Sequence, residues 1–214
     1  MDIALRLGRI IKQRLPSVEV IFTRTNDTFI PLEERPYIAN DIKADLFLSI
    51  HANSSPYPAA RGIETYYYYL DLAGTTEVME LAARENATAQ GPDRLERMKK
   101  TGLGEKNEES RMLAEDLQES LNRFVQRSAS GLESRRVRRA PFVVLAGANM
   151  PSVLTEIAFP SNPSDEQLLR KGEYCERLAE GLFQGLANYL QSPNGVKHNP
   201  PTTTKPVVVP SAAS

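Results

Sequence analysis

Soft metal ligands are scarce in this chain. Among 214 residues there is one cysteine, Cys175, two histidines, His51 and His198, and no tryptophan. A single cysteine excludes an internal disulfide, and with it the small folds stapled by bridges. One cysteine and two histidines cannot build a zinc site of four cysteines, of two cysteines with two histidines, or of three histidines. Any metal site must lean on carboxylates or be incomplete. Charge of one sign is missing as well: 26 Lys and Arg face 27 Asp and Glu. That balance lacks the basic excess with which a general nucleic-acid binder neutralises phosphates. No run of about 18 apolar residues occurs, so no segment reads as membrane-spanning. Met1 to Lys12 is interrupted by Arg6, Arg9 and Lys12 and has no small-residue cleavage site, unlike a signal peptide. There is no G-x-S-x-G to support a serine hydrolase, and Gly102-Leu103-Gly104 is too little for a phosphate loop.

What is present fits one globular domain with a core of its own. Ile3, Leu7, Ile10 and Ile11 form one face of a helix that Pro16 stops. Val18 to Thr23 is β-branched and aromatic, hence a strand. A second helix is predicted from Pro31 to about Ile42, with Pro36 an awkward interior residue that should bend it. Asp45 to Ile50 is a nearly continuous apolar run, as in a strand covered on both faces. Strand, helix and strand in this order imply a parallel sheet. Gly62 to Leu70 reads as a strand with four tyrosines alternating faces, and Thr75 to Ala89 as a helix. Leu113, Leu117, Leu121 and Phe124 mark a further helix, Phe142 to Ala146 and Ser152 to Phe159 two strands, and Leu178 to Leu190 the closing helix. The predicted fold class is α/β: a three-layer α/β/α domain over residues 1–191 with a mixed, mostly parallel sheet. Residues 192–214 hold five of the 15 prolines and are predicted to be a disordered tail.

Two residues stand out chemically. His51 follows the buried strand directly, in Ser49-Ile50-His51-Ala52-Asn53. Residues just past the carboxyl ends of strands face the ligand crevice in open α/β sheets. His51 is therefore a candidate ligand or base, with Asn53 as an orienting amide; the alternative is a histidine that merely closes a strand. Glu156 interrupts the apolar strand Val153 to Phe159. A carboxylate so surrounded is desolvated toward general-base range, unless it sits on a solvated edge or in an ion pair. Glu64 is read as structural and solvent-facing, Arg135 to Arg139 as a solvated basic loop, and His198 as an idle tail residue.

The blocks Leu32-Glu33-Glu34-Arg35, Ile38-Ala39-Asn40, Ala44 to Asn53, Gly62 to Tyr67, Ala140 to Leu145 and Met150 to Asn162 resemble, in order, the zinc-dependent N-acetylmuramoyl-L-alanine amidases of the cell-wall amidase type 3 family. The resemblance implies a hydrolase that cuts the amide between N-acetylmuramic acid and L-alanine of the peptidoglycan stem peptide. It implies one zinc held by two histidines and a glutamate, with a further glutamate for catalysis. His51 matches the second zinc histidine and Glu156 the catalytic glutamate. Zinc would polarise the amide carbonyl and activate a water, and the glutamate would move its proton to the leaving amine.

The same resemblance starts the chain inside the family's first helix, so the family's first strand, first histidine and glutamate ligand fall before Met1. The chain as given is therefore expected to be truncated and inactive, with negligible zinc affinity. The second reading is an inactive amidase-like domain that binds peptidoglycan or serves as an interaction module. Some family members block the zinc with a carboxylate from a helical insert until an activator protein removes it. The charged stretch of about 71–109 is the corresponding insert, with Glu96, Glu105, Glu108 and Glu109 as candidate blockers. The family works outside the cytoplasm, so a periplasmic or extracellular location is implied.

Overall fold

The structure is a computed structural model, and it describes residues 1–69, 76–89, 105–126, 136–192 and 206–209. Six strands form one sheet: β1 (Glu19–Phe22), β2 (Leu46–His51), β3 (Glu64–Tyr68), β4 (Arg138–Ala140), β5 (Ser152–Glu156) and β6 (Pro206–Val209). Their order is β1-β6-β2-β5-β3-β4. Every neighbouring pair is parallel except β3 with β5. The described helices are α1 (Asp2–Arg14), α2 (Arg35–Asp41), α3 (Thr76–Glu85), α4 (Glu105–Gln126), α5 (Pro163–Leu169) and α6 (Gly172–Gln191), with a 3-10 turn at Asn86–Thr88 after α3.

The pleat of β2 divides the core into two. Leu46, Leu48 and Ile50 join α1, α4 and α6 on one face, while Phe47 joins the α2 and α3 side on the other. Successive strand residues point to opposite faces, so a strand buried on both must be apolar throughout, as this one nearly is. Tyr66 and Tyr68 take the α3 face and Tyr67 packs on the opposite core. Helix α6 approaches α4 closely at Gly185, where a Cβ would stand 2.6 Å from Leu117 Cα. A side chain at that position would push the two helices apart.

Four expectations change. Pro36 lies in the first turn of α2, because that helix begins at Arg35 rather than Pro31; no backbone donor is lost there. Phe142 to Ala146 is not a strand. Pro141 has no N–H to extend the β4 ladder, and the chain closes into turns, with Leu145 N donating to Phe142 O at 3.1 Å and Ala146 N to Val143 O at 3.0 Å. Short apolar runs do not distinguish a strand from a buried turn. Glu64 is not solvent-facing: it is 2% exposed, on the Tyr66 face of β3. The tail also departs from disorder at Pro206–Val209, which pairs with Glu19–Phe22 on one side and with Leu46 and Phe47 on the other. Its three consecutive valines have the β-branched character that a strand favours. His198 and the rest of the tail beyond Ser192 lie outside the described residues.

Candidate metal centre

The site forms where β2 and β5 end. His51 closes β2, Glu156 closes β5, and the two are register partners. Glu64 of β3 is the register partner of Glu156 on the other side. The row His51, Glu156, Glu64 thus crosses three adjacent strands. Alternation puts Glu156 on the face of Leu154 and His51 on that of Phe47, the side covered by α3.

Helix α3 brings a third group to the cluster that sequence reasoning missed. Its buried residues are Val78, Leu81 and Ala82, and Glu85 follows at the i+7 position of the same stripe. A carboxylate continuing an apolar helix face was the signal that could have found it. Glu85 Oε2 stands 3.0 Å from His51 Nδ1. One donor atom from each of His51, Glu85 and Glu156 lies within 4.8 Å of the others.

The cluster gathers three buried or half-buried acidic groups against one imidazole and leaves polar atoms without partners. Glu156 is fully buried, and that burial pushes its carboxyl well above the ordinary carboxylate range; Glu85 and Glu64 push it further, and Arg84 partly opposes them. Both Glu156 oxygens and His51 Nε2 are buried without a hydrogen-bond partner among the described residues. Each such orphan costs about 1–3 kcal/mol. A divalent ion would satisfy them, and an imidazole with carboxylates is a donor set that zinc accepts. The residues present therefore fit a metal.

The flanking groups are placed as follows. Glu64 Oε2 accepts a short hydrogen bond from Tyr66 Oη, and Arg138 Nε stands 4.0 Å from Glu64 Oε1. Together with Asn53, Tyr57 and Arg84 these three line a small cleft of about 60 Å³. Asn53 is buried, but the partner of His51 Nδ1 is Glu85 rather than Asn53. Of the expected blockers, Glu96 lies outside the described residues, as does the side chain of Glu105. Glu108 pairs with Arg111 on the surface. Ser110, two residues on in α4, accepts from Ser152 N at the amino end of β5, so the start of α4 sits at the strand ends opposite those that carry His51 and Glu156. That placement removes Glu108 and Glu109 as blockers.

A sequence profile described as N-acetylmuramoyl-L-alanine amidase matches residues 1–188. The chain belongs to the N-acetylmuramoyl-L-alanine amidase family. Amidase AmiC of Neisseria meningitidis is 33% identical over 203 residues, covering 89% of this chain and 47% of that protein. Amidase LytC of Bacillus subtilis is 31% identical over 191 residues, covering 89% of this chain and 30% of that protein. The chain thus spans about half the length of these curated amidases or less. Among solved structures, the N-acetylmuramoyl-L-alanine amidase from Clostridium difficile 630 superposes with a TM-score of 0.67 at 28% identity, covering 90% of this chain and 82% of that one.

Proposed function

We propose that this protein hydrolyses the amide between N-acetylmuramic acid and L-alanine in peptidoglycan. The observation that carries the reading is the convergence of His51, Glu85 and Glu156 donor atoms within 4.8 Å at the carboxyl ends of β2 and β5. His51 would hold a zinc ion, with Glu85 as a further donor. When bound, zinc supplies polarisation of the scissile carbonyl and a water acidic enough to attack at neutral pH. Glu156 is the base: its desolvated carboxylate accepts the proton of the attacking water and returns it to the nitrogen of the departing L-alanine. The full burial of Glu156 keeps bulk water from competing for that proton.

Glu85 also closes the site. Its carboxylate stands 3.0 Å from His51 Nδ1, where it would compete with a water or substrate oxygen for a metal held by that imidazole, and it is carried by a helix within the 71–109 insert. An activator protein that draws α3 aside would expose the centre. The family's substrate lies outside the cytoplasm, which makes an exported protein the natural reading. Among the described residues, no helix is long and apolar enough to cross a membrane.

The test is the identity of the bond cut. The full gene product, supplied with zinc and purified peptidoglycan, should release stem peptides with a free L-alanine amino terminus and leave the glycan chains intact. New reducing sugar ends, or no cleavage by any form of the gene product, would overturn the proposal.

A further inference from the structure

Glu85 is held against His51 by something more directional than the apolar face of α3. Val78, Leu81 and Ala82 bury that face, but hydrophobic contact is non-directional and tolerates a slide or small rotation of the helix. The next residue, Asn86, does not. Its side chain is 4% exposed and both ends of the amide are used. Nδ2 donates to Pro141 O at 2.9 Å, and Oδ1 accepts from Val143 N at 2.8 Å. Two bonds from one planar group fix both distance and orientation.

The partner of this clamp is rigid in its own right. Phe142, between the two bonded residues, stacks edge-on against Tyr66 of the sheet, with ring centroids 5.1 Å apart. The same segment is gripped from the other side by Asn40 of α2, whose Nδ2 donates to Gly147 O and whose Oδ1 accepts from Asn149 N, each at 2.8 Å. The Pro141–Asn149 segment is thereby anchored to the sheet and to α2 independently of α3. Asn86 ties the end of α3 to that anchor one residue beyond the carboxylate that meets His51.

We propose that Asn86 is the positioning residue that sets Glu85 against His51, and that its bonds to Pro141 and Val143 are the catch any opening of the site must break. The proposal rests on the reading of Glu85 as the closing group. In the closed state His51 Nδ1 donates to Glu85 Oε2, across 3.0 Å. An activator acting on α3 has two directional hydrogen bonds to release in addition to the apolar face.

The test follows the His51 Nδ1 proton by NMR in the metal-free full chain, comparing the wild type with Glu85→Ala, Asn86→Ala, Asn86→Asp and Asn40→Ala. A proton held by Glu85 exchanges slowly with water. Glu85→Ala and Asn86→Ala should lose the signal. Asn86→Asp, which keeps the acceptor for Val143 N and loses the donor to Pro141 O, should exchange at least tenfold faster and stands in if Asn86→Ala does not fold. Asn40→Ala removes two bonds from the same segment and should keep the signal, which separates positioning from general loosening. Retention in Glu85→Ala would overturn the closing role of Glu85 and this proposal with it. Retention in Asn86→Ala, unchanged exchange in Asn86→Asp, or equal loss in Asn40→Ala would overturn the role of Asn86 alone.

Discussion

His51 and Glu156 are register partners on adjacent parallel strands, and the ladder locks their separation: Ile157 N donates to His51 O at 3.0 Å, and Asn53 N to Ala158 O at 2.9 Å. The proposed ligand and base are therefore spaced by backbone hydrogen bonds rather than by flexible loops. Side-chain substitution at either position should alter chemistry with little change in architecture.

Glu156→Gln keeps the shape and removes the proposed base. Its expected effect is a loss of about 10²–10⁴ in turnover on a muramoyl peptide, the usual worth of a positioned proton-transfer group. Zinc content, measured on the same preparation, should stay at the wild-type level. Residual activity near wild type would take Glu156 out of the reaction.

The burial of Glu156 also sets a pH dependence. Its folded carboxyl titrates above the ordinary range, so the folded state holds a proton that the unfolded state has lost. Stability from this group is full below the unfolded value near 4.5 and falls as pH rises through the folded one, by about 1.4 kcal/mol per unit of separation. Thermal melts of the metal-free chain from acid to neutral pH should show this decline, and Glu156→Gln should flatten it. A melting temperature that rises with pH over that window in the wild type and not in the variant would reverse the sign and refute the desolvated state.

Removing the closing carboxylate should open the site. For Glu85→Ala the expected change is a basal hydrolysis rate about tenfold higher in the absence of any activator, equivalent to about 1.4 kcal/mol in the closed-to-open balance. Rates measured on soluble peptidoglycan fragments check it. A fall in rate with a matching fall in zinc content would show that Glu85 is needed as a ligand more than it obstructs.

Strand β6 gives a structural prediction. Among the described residues it is the strand that joins β1 to β2, with four register pairs on β1 and two on β2. Ending the chain at Ser192 should free β1 and expose sheet edges, which invite intermolecular pairing. Hydrogen exchange at Val20 and Ile21 should accelerate and the protein should self-associate. Unchanged protection would show that β1 is held by its packing on α1 alone.

Much of this molecule is legible in its sequence because the signals are local. The apolar run ending at His51 and the lone carboxylate in Val153 to Phe159 announce two strand ends, and strand ends in an α/β sheet face the ligand. Glu85 was legible only as a break in a helical stripe, since its partner His51 lies 34 residues away and no local rule links them. Glu64 deceived because alternation gives a face without saying whether that face is covered; α3 and the Pro141–Asn149 segment cover it. Phe142 to Ala146 deceived because burial alone makes a segment apolar. The strand at Pro206–Val209 was hidden by its prolines and by a setting of small polar residues, and only pairing with β1 and β2 orders it.

X-ray absorption at the zinc edge, comparing the zinc-loaded gene product with its His51→Ala variant, tests the central claim most directly. The account predicts imidazole scattering in the wild-type spectrum that weakens in the variant, with oxygen ligands remaining in both. Identical spectra from the two proteins would place the metal elsewhere and contradict it.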